Sequence, residues 1–336
     1  MLNVRILGTG SALPPRRVGT DEIAATLGRD GDDLRARTGI ETRRWLAPGA
    51  SSVALATEAL QAALTRADMP AAALRRVIFV SSCGGDHLFP ANANSVLAAL
   101  GVEGTADCFD LNNACLGFVS AFDLAARCIV TGLGPIGIVA VEHPSWYIDP
   151  GEAPRAHAVF GDAAAAAVLG AGGPAEGVVA SRFANLGRLD GSVRLANPGH
   201  TGQREDIRFE RSNRELIALA TRILGETAAA VLEDAGLTMD DIRWVAPHQP
   251  NGAMLDVIVE RLGVPAEKLV RVVDTVGSVG AASIALGLDR VLRERPVSPG
   301  DHVLLVGVGA GISCGALIYR MGPDARWVGE GAGGSL

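Results

Sequence analysis

The sequence predicts an α/β protein whose sheets are covered by helices and whose two halves share one plan. Short apolar runs of strand length alternate with alanine-rich stretches of helical length along the 336 residues, which is typical of sheets packed against helices. The order of elements in the first half recurs in the second, which indicates a duplicated unit. Because 48% of the residues are hydrophobic, the chain can fill one large core or two fused ones.

In the first half, strand-like and helical segments follow each other closely. We predict a helix, two strands, a helix and two further strands, at 52–67, 75–82, 105–111, 115–129, 134–142 and 160–170. The second of these helices is expected to open at Cys115. The last segment, FGDAAAAAVLG, indicates a turn that leads into a strand of small residues.

The second half repeats this plan with helices at 214–235 and 281–293 and strands near 242–247, 302–308 and 312–320. Matching Arg76 with Arg243 gives an offset of 167 residues, and matching Ile138 with Leu304 gives 166. The Gly- and Pro-rich segment GAGGPAEG is suited to a junction. We therefore divide the chain into an N-terminal half, 1–172, and a C-terminal half, 173–336.

Charge, hydropathy and cysteine usage argue against several classes of protein, among them nucleic-acid-binding, membrane-spanning and secreted proteins. The net charge is −7 and no run of Lys or Arg exists, so no nucleic-acid partner is expected. Apolar runs such as GPIGIVAV are far shorter than the roughly 20 residues of a membrane span, and the N-terminal segment has no signal-peptide pattern. Five cysteines without CxxC spacing predict a reduced, cytoplasmic enzyme. No two histidines have metal-ligand spacing, so no metal is expected.

Two glycine-rich segments invite a nucleotide-binding interpretation. GTGSA (8–12) follows a strand, but it lacks a third glycine and is followed by Pro14 and Pro15, so we reject a dinucleotide site. GVGAGISCG (307–315) runs between two strands, and we interpret it as a hairpin that lets the backbone approach a ligand closely.

Cys115 differs from the other cysteines by its position. It follows a strand and the pair Asn112-Asn113, on the first turn of a predicted helix. The free N–H groups there favour thiolate over thiol and can hold an oxyanion. From position alone, a nucleophile and a packing residue are equal alternatives. The other cysteines are expected to be packing residues: Cys83, Cys108, Cys128 and Cys314.

His248 is the best candidate for a base beside such a nucleophile. It lies in WVAPHQPNG just after a predicted strand, between Pro247 and Pro250, where α/β proteins collect catalytic groups. His200 and His302 lie in loop-like contexts that predict solvation. The remaining histidines fall in possible active-site loops without a specified role: His87, His143 and His157.

Several motifs together resemble the β-ketoacyl-ACP synthase III branch of the thiolase superfamily. They are ILGTGSALP, RTGIETRR, FDLNNACLGF, FGDAAAAAVL, PHQPN, VGSVGAASIAL and GVGAGISCG, in that order along the chain. The resemblance implies a thiolase-like five-layered αβαβα fold from two duplicated halves, and a homodimer. It also implies a CoA or acyl-carrier-protein thioester as substrate and no bound cofactor. NACLGF is similar to the variants that join two long acyl chains.

In that family the cysteine takes an acyl group, and a histidine and an asparagine then help a malonyl thioester to decarboxylate and attack. Cys115 matches the cysteine and His248 the histidine, whereas Ser278 stands where the asparagine is expected. The resemblance implies oxyanion donors at the backbone N–H groups of Cys115 and Ala310. The substrate-binding residues that it implies are Phe89, Leu116, Phe160, Asn251, Val308 and Arg37.

Other positions bear on how the thioester is delivered. Phe89 matches the residue that reaches across the dimer to cover the partner's acyl pocket, although a core or interface phenylalanine is an equal alternative without the resemblance. The tryptophan that stacks on the CoA adenine falls at Asp33, and basic positions become Ala218, Ala253 and Glu260. CoA and a carrier protein both stay open as the donor.

Ser278 decides between reaction types. Serine has one donor on a shorter arm than asparagine, and loss of an oxyanion donor typically costs about 10²–10³ in rate. We therefore expect an acyltransferase that loads Cys115 and passes the group to an alcohol, amine or thiol, in polyketide- or fatty-acid-related specialised metabolism. His248 would be the base, oriented through Ser278. The alternatives are a decarboxylative ketosynthase and a catalytically silent partner subunit.

Overall fold

A computed structural model describes residues 1–325. The strands are β1 (Val4–Ala12), β2 (Arg16–Gly19), β3 (Thr42–Trp45), β4 (Arg76–Val80), β5 (Asp107–Leu111), β6 (Ile136–Glu142), β7 (Ala163–Ala171), β8 (Gly177–Asn185), β9 (Val193–Arg194), β10 (Arg208–Phe209), β11 (Ile242–Pro247), β12 (His302–Gly309) and β13 (Ser313–Arg320). The α-helices are α1 (Thr20–Leu27), α2 (Gly31–Thr38), α3 (Ser52–Arg66), α4 (Asn92–Ala99), α5 (Gly117–Val130), α6 (Pro154–Val159), α7 (Pro198–Thr201), α8 (Asn213–Ala235), α9 (Gly252–Leu262), α10 (Val273–Val276) and α11 (Ala282–Glu294).

Two mixed sheets share one strand order. The first runs β1-β7-β6-β4-β5 and the second runs β8-β13-β12-β11. In the first sheet β4 is parallel to β5 and β6, while β7 is antiparallel to β1 and β6. In the second sheet β11 is parallel to β12, while β13 is antiparallel to β12 and β8. An isolated parallel bridge between Val245 and Leu269 occupies the place that β5 has in the first sheet.

The sheets and helices form five layers. Helices α3 and α4 cover the outer face of the first sheet, and α8, with α9 packed on it, covers the outer face of the second. Helices α5 and α11 lie between the sheets and contact strands of both. Both are buried on nearly every side over most of their length, as a position between two sheets requires. The predicted fold class is therefore confirmed.

Predicted and observed elements agree to within about three residues at each end, with one consequential difference. Helix α5 begins at Gly117, so Cys115 lies in the turn before the helix rather than on its first turn. Within residues 1–325, no helix is both long and apolar enough to cross a bilayer.

Each central helix carries an aspartate that binds the first strand of the other half. Asp123 of α5 accepts the Ser181 hydroxyl of β8 at 2.7 Å, and Asp289 of α11 accepts the Thr9 hydroxyl of β1 at 2.8 Å. An arginine four residues later pairs with each aspartate. The two aspartates are 166 residues apart, which is the offset of the strands. This correspondence supports the division near residue 172, which stays our proposal.

The glycines of GTGSA serve the packing of a helix on a sheet. A Cβ on Gly8 would lie 2.3 Å from the carbonyl oxygen of Ala63, and a Cβ on Gly10 would lie 2.4 Å from that of Ala59. Helix α3 therefore rests directly on the backbone of β1. The side chains of Thr9, between them, and of Ser11 turn the other way and donate to Asp289, each at 2.8 Å. The GTGSA segment, which resembles half a dinucleotide-binding motif, therefore connects the first sheet to the outer helix α3 and to the central helix α11.

The Gly10→Ala substitution tests this packing. Because the added methyl group meets helix backbone, α3 has to shift, and we expect unfolding to become easier by about 1–3 kcal/mol. Urea denaturation followed by circular dichroism measures the change. Gly225→Ala is the matched control, because it lies within α8 and a Cβ there meets no atom within 4 Å. It should leave stability unchanged or raise it by up to about 1 kcal/mol. Equal stability of Gly10→Ala and the natural protein would refute direct contact.

Candidate active site

The turn that carries Cys115 is held by local hydrogen bonds and by a strained residue. The Asn112 side chain accepts the N–H of Ala114 at 3.0 Å, and the Asn113 carbonyl accepts that of Leu116 at 3.1 Å. Ala114 has φ of +47°, a left-handed conformation that is costly for a residue with a Cβ. The strained turn places the Cys115 thiol at the wall of a cavity instead of in the core.

Two backbone N–H groups lie within hydrogen-bonding reach of the Cys115 sulfur, its own and that of Ala310, and both lower its pKa. Ala310 follows β12, whose last residue is Gly309. A Cβ on Gly309 would lie 3.1 Å from the Cys115 nitrogen and 3.2 Å from the Asn113 oxygen, so glycine allows the strand end to approach the turn. The two donors form a pair that can hold an oxyanion beside the sulfur.

His248 follows β11 and is 5% exposed. Its loop is fixed by Gln249, a fully buried side chain that donates to the Val270 carbonyl at 2.7 Å and accepts the N–H of Val272 at 2.8 Å. The Nδ1 atom of His248 lies 2.9 Å from the Ser283 hydroxyl. Ser283 donates its proton to the Gly280 carbonyl at 2.9 Å. Nδ1 must therefore carry the hydrogen in this pair, and Nε2 has a free lone pair.

Ser278 lies at the same cavity but does not orient the histidine. It is 2% exposed, and its backbone is anchored by the bonds from Ser278 N to the Val159 carbonyl at 2.8 Å and from Gly161 N to the Ser278 carbonyl at 3.0 Å. Within the described residues its hydroxyl has no hydrogen-bond partner. The expectation that His248 is oriented through Ser278 was wrong. Ser283, on the first turn of α11, takes that position.

Burial sets the protonation of the two reactive groups. It raises the pKa of Cys115 to about 12, and the charge of Glu142 adds to this effect. Burial lowers the pKa of His248 to about 4, which the Gly280 carbonyl opposes. At neutral pH the pair is therefore a thiol and a neutral imidazole. The two N–H groups favour the thiolate, as expected, but desolvation outweighs them.

Cys115, His248 and Ser278 line one cavity of about 600 Å³. Five more of the residues implied by the resemblance also line it: Arg37, Phe160, Asn251, Val308 and Ala310. The rest of its wall is mostly apolar and comes mainly from α2, α6, α8, α9, β9 and β10, including Val193, Phe209, Ile217, Met254 and Val257. The site can thus hold an apolar group attached to Cys115 against a largely apolar wall.

Two residues do not line this cavity. Leu116 is 1% exposed and packs in the central core, and Cβ atoms on Gly307 and Gly315 would meet its methyl groups at 3.4 and 3.2 Å. Leu116 therefore lies in the core beside the cavity rather than in its wall, and its expected role in substrate binding stays a prediction. Phe89 is 89% exposed in the loop after β4, away from the cavity of its own chain.

Arg37 and Asn251 reach the cavity with side chains that are already engaged. Arg37 donates through Nε to both carboxylate oxygens of Asp33, at 2.8 and 2.7 Å. Asn251 accepts the N–H of Met254 at 2.8 Å as the N-cap of α9. Arg155 stacks on Phe209 at 4.1 Å from the ring centroid. Within the described residues it has no carboxylate partner, so a cationic group is available at the cavity wall.

Of the other histidines, His143 and His157 are buried away from the cavity. His157 bonds to the Ile148 carbonyl at 2.9 Å, and His143 packs on Trp146 with ring centroids 4.3 Å apart. All five cysteines are free. Within residues 1–325, no three His, Cys, Asp or Glu side chains are grouped as metal ligands would be.

The chain matches two family models. One, described as 3-Oxoacyl-[acyl-carrier-protein (ACP)] synthase III, covers residues 109–187, and that of the C-terminal part covers residues 232–321. A beta-ketoacyl-[acyl-carrier-protein] synthase III from Rhizorhabdus wittichii is 34% identical over 316 residues, which is 94% of this chain and 98% of the relative. The chain belongs to the 3-oxoacyl-[acyl-carrier-protein] synthase III family. A relative of the same description from Sphingopyxis alaskensis is 34% identical over 319 residues, with the same coverage.

Solved structures agree with this family. The synthase III of Pseudomonas aeruginosa PAO1 superposes with a TM-score of 0.88 at 30% identity, covering 96% of this chain and 99% of that one. The priming β-ketosynthase of the R1128 polyketide pathway gives 0.88 at 29% identity, covering 96% and 97%. OleA of Xanthomonas campestris, at 22% identity, covers 95% and 97% with a TM-score of 0.85 and shares the fold.

Two polar residues of this synthase III site escaped the sequence analysis. Ser283 lies three residues after Gly280, where only the start of α11 decides which serine faces His248. Glu142 ends β6 and is 1% exposed. A carboxylate at the end of a fully apolar strand was the available signal for it.

The protonation state of Cys115 predicts how it reacts with iodoacetamide. Because the pKa of the thiol is near 12, its alkylation rate should rise by about tenfold per pH unit from pH 7 to 9 without a plateau. Peptide mass spectrometry separates Cys115 from the other four cysteines, and the urea-unfolded chain supplies the reference rate. A rate for Cys115 that is independent of pH in this range would show a preformed thiolate.

Proposed function

We propose that this family member is an acyltransferase that takes an acyl group from a thioester onto Cys115 and passes it to an alcohol, amine or thiol. The proposal rests on which reactive groups line the cavity. A thiol, two oxyanion donors and a neutral histidine line the same cavity, while Ser278 stands at the position of the family's asparagine. These groups suffice for loading and transfer, which need a nucleophile, an oxyanion site and a base.

Loading begins when a thioester carbonyl lies at the N–H groups of Cys115 and Ala310. The sulfur of Cys115 attacks the carbonyl carbon while Nε2 of His248 takes the thiol proton. The oxygen carries the negative charge until the carbon–sulfur bond to the leaving thiol breaks, and the imidazolium returns the proton to that thiol. Ser283 and the Gly280 carbonyl hold Nδ1 throughout. The neutral state of His248 suits it to accept a proton at physiological pH.

Transfer reverses the roles. Nε2 of His248 takes the proton of the acceptor's O–H, N–H or S–H group as that atom attacks the acyl carbonyl. The same two N–H groups stabilise the oxyanion, and the Cys115 sulfur leaves and receives the proton. Because the pKa of His248 is lowered to about 4, this base stays available at any pH above about 5. Its function would be lost only as the pH falls through 4.

Condensation requires a further donor. A malonyl thioester that loses CO₂ develops enolate charge on its carbonyl oxygen, and the family's asparagine donates to that oxygen. The hydroxyl of Ser278 is shorter, and removal of one such donor typically costs about 10²–10³ in rate, roughly 3–4 kcal/mol. Ser278 also lacks a partner within residues 1–325 that would direct its proton. Decarboxylative condensation, the reaction of a synthase III, is therefore the second candidate.

We propose that the acyl group arrives as a thioester of CoA or of a carrier protein and that the protein binds no cofactor. A CoA nucleotide would find Asp33 where an aromatic platform is expected, with Arg37 already paired to it. A carrier-bound pantetheine needs no such platform, so the ion pair favours an acyl carrier protein over CoA. An apolar wall along the cavity suits an apolar acyl group or acceptor.

Intact-mass spectrometry tests loading and transfer together. We expect an acyl adduct after incubation with a panel of acyl carriers or acyl-CoAs, and its absence in Cys115→Ala. Adding alcohols and amines should discharge the adduct without CO₂ release. Ser278→Asn is the informative variant: with malonyl carrier present it should release CO₂ and form β-ketoacyl product at least about tenfold faster than the natural protein. Efficient condensation by the natural protein would refute the acyltransferase proposal. Absence of any adduct would favour a silent partner subunit.

We further propose a homodimer. Strand β5 is the edge of the first sheet, with an open ladder on one side, and Leu88 and Phe89 in the loop after β4 are 85% and 89% exposed. Exposed apolar side chains beside an open sheet edge fit a second copy of the chain. Light scattering should give twice the chain mass, and Phe89→Asp should shift the equilibrium toward monomer by tenfold or more, roughly 1.4 kcal/mol. A natural protein of single-chain mass at high concentration would contradict this.

A further inference from the structure

A buried carboxyl group that the proposed mechanism does not use joins the two halves at the site. Oε1 of Glu142 accepts the N–H of Ser82 at 3.0 Å and that of Ala281 at 3.2 Å. Oε2 accepts the Ser82 hydroxyl at 2.6 Å. Ser82 follows β4 in the first half, and Ala281 is the N-cap of α11 in the second. One carboxylate thus fixes the loop of the cysteine half to the helix of the histidine half.

The bond to Ala281 matters because of the peptide to which its N–H belongs. The same peptide unit carries the carbonyl of Gly280, which accepts the Ser283 hydroxyl at 2.9 Å and raises the pKa of His248 against the effect of burial. A peptide whose N–H is bound to a carboxylate presents a more negative carbonyl oxygen. The peptide and the Glu142 carboxyl group lie very close together. Gly280 has φ of +48°, and a Cβ on Gly280 would lie 2.8 Å from the carboxyl carbon of Glu142.

We propose that Glu142 is a positioning residue for His248 that acts through the Gly280–Ala281 peptide. Its carboxylate holds the peptide, the peptide carbonyl and Ser283 hold the Nδ1 hydrogen, and Nε2 stays directed to the cavity. The carboxylate also favours the positive charge that His248 acquires during transfer. The inference rests on the proposed function in one respect only, the role of His248 as base.

The charge of Glu142 has opposite effects on the two catalytic groups. Burial raises the pKa of Glu142 to about 7, and the donors of Ser82, Ala281 and Cys83 oppose this. The carboxylate in turn raises the pKa of the thiols Cys115 and Cys83, and Asp162 acts on Cys83 as well. Removing the charge should therefore ease ionisation of Cys115 while weakening the base. A residue that served only packing would not separate these effects.

Glu142→Gln separates them with little change of shape. The amide oxygen can still accept from Ser82 N and Ala281 N, and the amide nitrogen can donate to the Ser82 hydroxyl, so mainly the charge is lost. We expect alkylation of Cys115 by iodoacetamide at pH 8 to become about 3–10-fold faster. Release of the acyl group from loaded Cys115 should become about tenfold slower. Peptide mass spectrometry measures the first rate and intact mass the second.

Glu176→Gln is the matched control. Glu176 is 2% exposed and accepts from Arg5 and the N–H of Gly173 at 2.8 and 2.9 Å, remote from the cavity. It should leave both rates unchanged. If Glu142→Gln folds poorly, Ser82→Ala replaces it. Loss of one donor raises the pKa of Glu142, so both rates should move in the same directions at pH 7 and return toward the natural values at pH 9.

Opposite changes in alkylation and release support the relay through the peptide. A parallel fall of both rates, or no change in either, overturns it. Release to water depends on His248 but not on an added acceptor, so it tests the relay independently. A loaded enzyme that discharges to water and to no alcohol, amine or thiol would refute the proposed transfer while leaving the role of Glu142 measurable.

Discussion

The site depends on the contact between the N-termini of the two central helices. A Cβ on Gly117, the first residue of α5, would lie 2.5 Å from a Val80 methyl group and 3.7 Å from the Cβ of Ala281, at the start of α11. Val80 of β4 therefore requires glycine at the start of α5, and Ala281 lies at ordinary contact distance, so the two helix ends meet between the sheets. Cys115 precedes one helix, and Ser278 precedes the other. A duplicated unit needs this contact to build one site from two halves.

Close burial at this contact determines the chemistry. The medium that excludes water also disfavours charge, so the thiol keeps its proton and the histidine stays neutral. A thiolate–imidazolium pair would need both pKa shifts to be reversed. In the proposed mechanism the anion therefore forms only when a carbonyl oxygen at the two N–H groups can take the charge.

Local signals in the sequence predict most of the fold and the two reactive side chains, whereas tertiary contacts decide what the sequence misses. Apolar runs predict most strands of both sheets but miss β8, and the elements around Cys115 and His248 were predicted to within a few residues. The net protonation of Cys115 could not be predicted, because its desolvation depends on neighbours from both halves. Whether the Leu116 side chain faces the cavity or the core could not be predicted before the conformation of the turn was known. Ser283 and Glu142 make contacts between different layers of the fold, and no residue spacing in the sequence predicts those contacts.

The same geometry explains how one side chain can change the reaction class of such a site. In the proposed mechanism, loading and transfer use the turn of Cys115, the N–H of Ala310 and the base, all of which are held by backbone or by buried partners. Condensation adds one donor at the position of Ser278, whose backbone is fixed by Val159 and Gly161 whatever its side chain. On the proposed mechanism, replacing that side chain removes a donor from the enolate without disturbing the acyl-enzyme. The step that stores an acyl group would then be separate from the step that decides what receives it.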